Sequence, residues 1–369
     1  MSPAETVVFT NCHTHTFTHE HAPDRFVRPP LNYLLRIGVI RRAVLAFAHR
    51  LDPKRQGAVG RYAEILETSY GKDQAAIFRR LQSFYPRETR FVVLPMDMEF
   101  MGLGALEESV DAQHDELRAL AQANPETLIP FAAVDARRGQ VGVDKAIDRL
   151  RNGFRGIKLY PPIGYHPFDS NLWPLYDWAA EQSPTVPVLT HCSRPASVQF
   201  HGVPTREMQT DPETGEVGNR ERIKLLTWFT DPDSYRALLK RWPTVRVCLA
   251  HFGGAGDWER YLDDPWVSTS DPAEKSWLAK IADMIRSGEY PNLWTDVAYT
   301  LFADDEYVYL LKTLLSDERI LERTLFGSDF YVVANARLEE RRRAVRIRAV
   351  LGEALFRKIA VENPKEFLG

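Results

Sequence analysis

A chain of 369 residues is too long for one small core and suits a decorated α/β barrel, which needs about 250 residues before insertions. Its 44% hydrophobic and 26% charged residues are ordinary for a globular protein, and a net charge of −3 gives no reason to expect nucleic acid or an anionic membrane as partner. Three cysteines make no disulfide framework, no window approaches the ~20 apolar residues of a membrane span, and residues 1–6 lack a secretory signal, so a cytoplasmic protein is expected.

In chain order, Val7-Val8-Phe9, leading to Asn11, is the first of eight short apolar runs that read as buried strands. Residues 19–88 then read as two to four helices, among them 31–50, 58–70 and 73–84. Further strands are expected at 90–94, 128–132, 156–160, 186–189, 245–249, 293–297 and 324–327. Amphipathic patterns at 106–123, 143–151, 172–182, 232–242, 274–286 and 306–315 separate them, and 336–351 and 353–361 follow the last. Strand and helix alternating eight times predict a (β/α)8 TIM barrel, read as a single domain over 1–369.

Two stretches exceed the minimal barrel: 19–88 after strand 1, and 193–230 after strand 5, where Asp211-Pro212-Glu213-Thr214-Gly215 reads as a hairpin or loop. Both start at the carboxyl ends of strands, the rim where barrels hold their active sites. A helical cap and an active-site loop are therefore expected. Arg341-Arg342-Arg343, with Arg346 and Arg348, reads as the solvated face of a helix.

The strongest local signal is Asn11-Cys12-His13-Thr14-His15. Alternation along a strand puts His13 and His15 on one face, where two imidazoles at a strand's mouth can clamp a metal. His191 ends the fifth strand, His251 the sixth and Asp329 the eighth. In a closed barrel all five converge on one mouth, as catalytic groups from several strand ends do.

These residues resemble the amidohydrolase superfamily, in the branch of amidohydrolase-related metal-dependent hydrolases that includes aromatic-acid decarboxylases and lactonases. The resemblance runs through His13-Thr14-His15, Gly153-Phe154-Arg155-Gly156-Ile157-Lys158-Leu159, His191, His251, Asp329 and the closing Glu362-Asn363-Pro364-Lys365-Glu366-Phe367-Leu368. It implies that His13 and His15 bind the first metal with Asp329, which also serves as general base. It makes His191 a ligand, and His251 either a ligand of a second metal or a proton donor and oxyanion stabiliser. The implied cofactor is one or two zinc ions, with manganese as another divalent choice.

Lys158 is the undecided residue. Some branches carboxylate a lysine here to bridge two metals; otherwise it pairs with a carboxylate or the substrate, and a buried lysine shifts its pKa readily. Arg194 could fork onto a substrate carboxylate or lie in solvent. Tyr160, Tyr165 and His166 could line the pocket or simply pack. His19 and His21 are expected as lid or surface residues, and Cys12, Cys192 and Cys248 as small packing groups. The leading expectation is a hydrolase that turns metal-activated water on an amide, ester or lactone of a small molecule. A non-oxidative decarboxylase of an aromatic or enoic acid is the alternative, and a non-catalytic binding barrel the second. The expected partner is a small-molecule substrate, with a homodimer as the assembly to consider.

Overall fold

The computed structural model describes residues 8–27, 30–52, 58–70, 72–194, 198–263, 275–332 and 340–369, with no side-chain description for 58–62. The apolar runs become β1 (Thr10–Thr14), β2 (Arg90–Val93), β3 (Leu128–Ala133), β4 (Gly156–Leu159), β5 (Val188–Thr190), β6 (Val247–Leu249), β7 (Leu293–Asp296) and β8 (Thr324–Leu325). They form one parallel sheet in sequence order. The ends meet: Cys12 N–H donates to the Phe326 carbonyl at 2.8 Å, Asp329 N–H to His13 at 2.8 Å, and His15 N–H to Phe330 at 2.5 Å. A sheet whose first and last strands share hydrogen bonds has no free edge there, and the fold is a (β/α)8 TIM barrel.

Alternation sorts the strand residues into two cores. Ile157, Leu159, Val188, Val247 and Leu249 pack outward on the helices, while Val92, Phe131, Leu189, Cys248 and Trp294 fill the barrel. The tail helix Asn363–Leu368 adds Phe367 to the inner cluster, its ring 5.6 Å from that of Trp294. Residues 19–88 hold α1 (Leu31–Arg36), α2 (Gly38–Leu51), α3 (Ala58–Ser69) and α4 (Gln74–Gln82). Ile77, Phe78 and Leu81 of α4 join the outer core, so α4 is the barrel helix of the first β/α unit and the added structure is α1–α3.

Differences from the sequence expectations have local causes. β1 starts later than the apolar run, because Thr10 and Asn11 pair with Arg90 and Phe91. The helix expected from 106 starts at Val110, where Ser109 Oγ accepts the Ala112 N–H and caps it. The helix expected over 31–50 breaks at Ile37, which turns to extended backbone. Helix Ala255–Asp263 was not expected. Arg343 is not on a solvated face: it is buried, its guanidinium donating to the Leu301 and Asp304 carbonyls and pairing with Asp305. In the second insertion, Thr210 and Val217 form an antiparallel bridge, the short hairpin expected around Asp211. Val7, Glu274 and residues 336–339 lie outside the described residues. Among the described residues no helix is long and apolar enough to cross a membrane.

Candidate metal centre

The mouth is assembled from the ends of β1, β5, β6, β7 and β8. His13 Nε2 and His15 Nε2 both face Asp329 Oδ1, at 3.4 and 3.0 Å. The far nitrogen of each ring is already fixed. His15 Nδ1–H donates to the Leu94 carbonyl at 2.7 Å, and His13 Nδ1–H to Asp296 Oδ2 at 2.9 Å. These partners assign the tautomer that leaves Nε2 as a free lone pair, the orientation that metal-binding histidines need. Ligand atoms of His13, His15 and Asp329 all lie within 4.8 Å of one another, and the three side chains are buried. Two imidazole nitrogens and a carboxylate oxygen fit a divalent metal such as zinc or manganese, with positions left for water or substrate.

Electrostatics keep His13 and Asp329 in the ligating state. Burial, then the Lys158 charge, holds His13 neutral well below the usual histidine range. Burial works to raise Asp329, but its close contact with His15 Nε2 and the neighbouring His13 and His251 outweigh it and hold the carboxyl at about 2. Backbone geometry contributes as well. Asp329 and His251 sit at φ 65° and 69°, in the left-handed region that side chains other than glycine enter at a cost, and such residues gather at functional sites. Gly327 permits the close approach of β8 to β1, since a Cβ there would stand 2.7 Å from His13 Cβ.

His251 and His191 form a chain rather than joining the first three ligands. His251 Nδ1–H donates to the Ala298 carbonyl at 3.0 Å, and His191 Nδ1 lies 3.0 Å from His251 Nε2. Ser193 Oγ stands 2.9 Å from His191 Nε2. His251 shares a second ligand group with His13 and Asp296, while His191 joins neither group among the described residues. Asp296 was missed in the sequence. It accepts from His13, from the His251 backbone N–H at 2.9 Å and from Ala298 N–H at 3.0 Å, so one carboxylate fixes two strand ends. The available signal was an acidic residue closing the otherwise apolar run 293–297.

Lys158 points into the barrel, between outward-packed Ile157 and Leu159. Its ammonium makes no hydrogen bond or ion pair among the described residues and lies 5.9 Å from the Tyr160 ring centre. Burial pulls its pKa down to about 8, against the charges of Asp329 and Asp296. Beside it opens a cavity lined by Asp97, Asp135, Tyr160, Ile163 and Tyr165. The Tyr160 ring lies tilted against that of His191, 4.6 Å away, and its hydroxyl donates to the Val198 carbonyl at 3.2 Å. The Tyr165 hydroxyl accepts from Tyr160 N–H and donates to the Val134 carbonyl, bracing the loop after β4.

Other candidates sit apart. Arg194 forks onto the buried Asp257 at 2.8 and 3.1 Å and lies over the Trp277 ring. His166 packs beside Trp228 and accepts from Phe168 N–H. His21 is buried rather than at the surface, because its Nδ1 accepts Thr18 N–H in a capping box. His19 stacks on Tyr70, and His19, Glu20 and Glu107 lie within ligand reach of one another, although Glu107 is paired with Arg36. All three cysteines are buried and unreactive in character, burial raising each thiol above its usual range.

Residues 12–369 match a protein family described as Amidohydrolase. Compared with curated proteins by sequence, the chain matches none. Among solved structures it is similar to 5-carboxyvanillate decarboxylase from Novosphingobium aromaticivorans, complexed with manganese and 4-hydroxy-3-methoxy-5-nitrobenzoic acid, at 15% identity and TM-score 0.56 over 100% of this chain and 97% of that one. It is similar to 2,6-dihydroxybenzoate decarboxylase from Rhizobium, at 12% identity and TM-score 0.56 over 98% and 99% of the two chains. A putative amidohydrolase from Staphylococcus aureus is similar at 12% identity and TM-score 0.53, over 98% and 100%. At these identities the likeness is one of fold.

Proposed function

The chain belongs to the amidohydrolase family, and on that premise we propose that it is a metal-dependent hydrolase of a small organic substrate, with one ion held by His13, His15 and Asp329. The convergence of His13 Nε2 and His15 Nε2 on Asp329, with both Nδ1 atoms fixed from behind, carries this reading. A bound zinc or manganese ion supplies Lewis-acid chemistry: it polarises a carbonyl and makes water acidic enough to attack near neutral pH. The protein's own groups do the rest. Asp329, ionised, takes the proton from the attacking water and returns it to the leaving group. His251 keeps its Nδ1–H on the Ala298 carbonyl, so it can serve charge developing on the carbonyl oxygen only when its Nε2 leaves His191 and takes a proton.

Both ligand groups at the barrel mouth draw on His13, which favours one ion over a bridged pair. Carboxylation of Lys158 stays a separate question, answered by whether Lys158→Ala changes the metal content. Tyr160 and Tyr165 line the small cavity beside Lys158, whereas a substrate role for Arg194 requires its pair with Asp257 to open.

Lys158 also favours a second reading, decarboxylation. A buried cation without an ion pair among the described residues suits a substrate carboxylate. That carboxylate would leave as CO2 while its bonding electron pair stays on the substrate carbon and takes a proton. Two measurements separate the readings. Elemental analysis of protein purified without chelator should find one divalent ion per chain, lost in His15→Ala. Incubation with lactones, esters, amides and aromatic acids should then give a new carboxylic acid for hydrolysis or CO2 for decarboxylation. A folded chain that takes up no metal on reconstitution refutes both.

A further inference from the structure

α2 is a helix without a partner on most of its circumference. Of its 14 residues only Ala48 is buried. Val39, Phe47 and Leu51 are 68%, 64% and 59% exposed. With Ala43 they recur every fourth residue and form one outward stripe, and Arg42, Ala46 and Arg50 form the stripe beside it. Leu34 of α1 and Ile37 at the break between the helices extend the apolar surface. Its sequence is one-sided in charge: residues 25 to 51 hold six arginines and no Asp or Glu, although Arg36 is paired with Glu107 and Arg25 lies beside Asp24. Arg42 and Arg50 make no ion pair among the described residues. The whole-chain balance of −3 conceals this basic segment.

We propose that α1 and α2 form an interfacial patch that lies flat on an anionic lipid surface. Val39, Phe47 and Leu51 would enter the boundary between headgroups and acyl chains, and Arg42 and Arg50 would reach lipid phosphates along their aliphatic stems. At 14 residues α2 is about 21 Å long, short of the ~30 Å hydrocarbon thickness, so it lies on a bilayer and does not span one. Charge decides against a second copy of this chain as the occupant. A two-fold contact through this face would set Arg42 and Arg50 against themselves, whereas anionic lipid complements them. The proposal is independent of the chemistry at the barrel mouth.

Vesicle co-sedimentation of the full chain tests it. At low ionic strength, binding to phosphatidylglycerol–phosphatidylcholine vesicles should exceed binding to pure phosphatidylcholine by about 10-fold or more and should fall steeply with salt. The double substitution Arg42→Glu/Arg50→Glu, and separately Phe47→Glu, should each remove most of that difference while leaving the far-UV circular dichroism unchanged, since all three side chains are exposed. No binding to anionic vesicles overturns the proposal, as does equal binding by wild type and the charge-reversed variant. Light scattering that finds a dimer, returned to monomer by Phe47→Glu and with no vesicle binding, also overturns it and assigns the face to a second copy. The salt dependence of the wild type needs no variant, so the test holds even if a substitution disturbs the fold.

Discussion

Asp296 illustrates how a residue that touches no substrate can control a site. It holds the Nδ1 side of His13 and the backbone of His251, so its charge sets both the tautomer and the basicity of a ligand. Asp296→Asn should leave the barrel folded and weaken metal affinity by roughly 10–100-fold, read by competition with a chelator; unchanged affinity would remove Asp296 from the centre. Lys158 makes the opposite bargain, a buried charge kept at the expense of stability. Lys158→Met, similar in shape and uncharged, should raise the melting temperature and lower turnover of any substrate bearing a carboxylate; a fall in melting temperature would mean that the ammonium is satisfied in the fold. His114 predicts a pH dependence away from the mouth. Its Nε2 accepts Ala133 N–H and its Nδ1–H donates to Val110, so a proton on the ring removes an acceptor that β3 uses. Burial, then Arg149, holds its pKa at about 3, while an unfolded histidine titrates near 6.5. The unfolded chain therefore takes up the proton first as pH falls. Stability from His114 is full above about 6.5 and is lost progressively toward about 3. Urea midpoints from pH 7 to 4 should fall less steeply in His114→Gln than in wild type.

Elements show where sequence patterning suffices and where it does not. Amphipathic runs gave helix existence, but caps and breaks set the ends: Ser109 delays one start, and Ile37 divides α1 from α2. Helix Ala255–Asp263 escaped because it follows Phe252-Gly253-Gly254, a glycine-rich turn that reads as a continuing loop. Gly253 is required there for two reasons. It adopts φ 88°, and a Cβ would stand 2.6 Å from Leu278 N and 2.8 Å from Trp277 C. Gly253→Ala should cost about 1–3 kcal/mol in urea unfolding and, by displacing the β6 end, should also disturb His251. A neutral result would mean that the turn after β6 adapts freely.

At the scale of the whole molecule, the insert after β1 belongs to the barrel through α4, whose Ile77, Phe78 and Leu81 pack into the outer core. Limited proteolysis should release no stable fragment spanning 19–88; recovery of a soluble folded piece would contradict a single domain. The barrel itself was legible in the sequence. Eight apolar runs spaced by amphipathic segments leave few topologies, and strand-end histidines need only the period of two to share a face. For that reason His13, His15, His251 and Asp329 could be gathered at one mouth from sequence position alone. What tertiary structure decided is which atoms meet. Asp296 reaches His13 from a strand 283 residues away, His191 is engaged by His251 and Ser193, and Arg194 is closed on Asp257. Lys158 faces inward because β4 pairs with β3 and β5 in one register, and a shift of one residue would have turned it out. Periodicity is a local property and survives in the sequence; partner choice between distant side chains depends on register and closure, which exist only once the chain has folded.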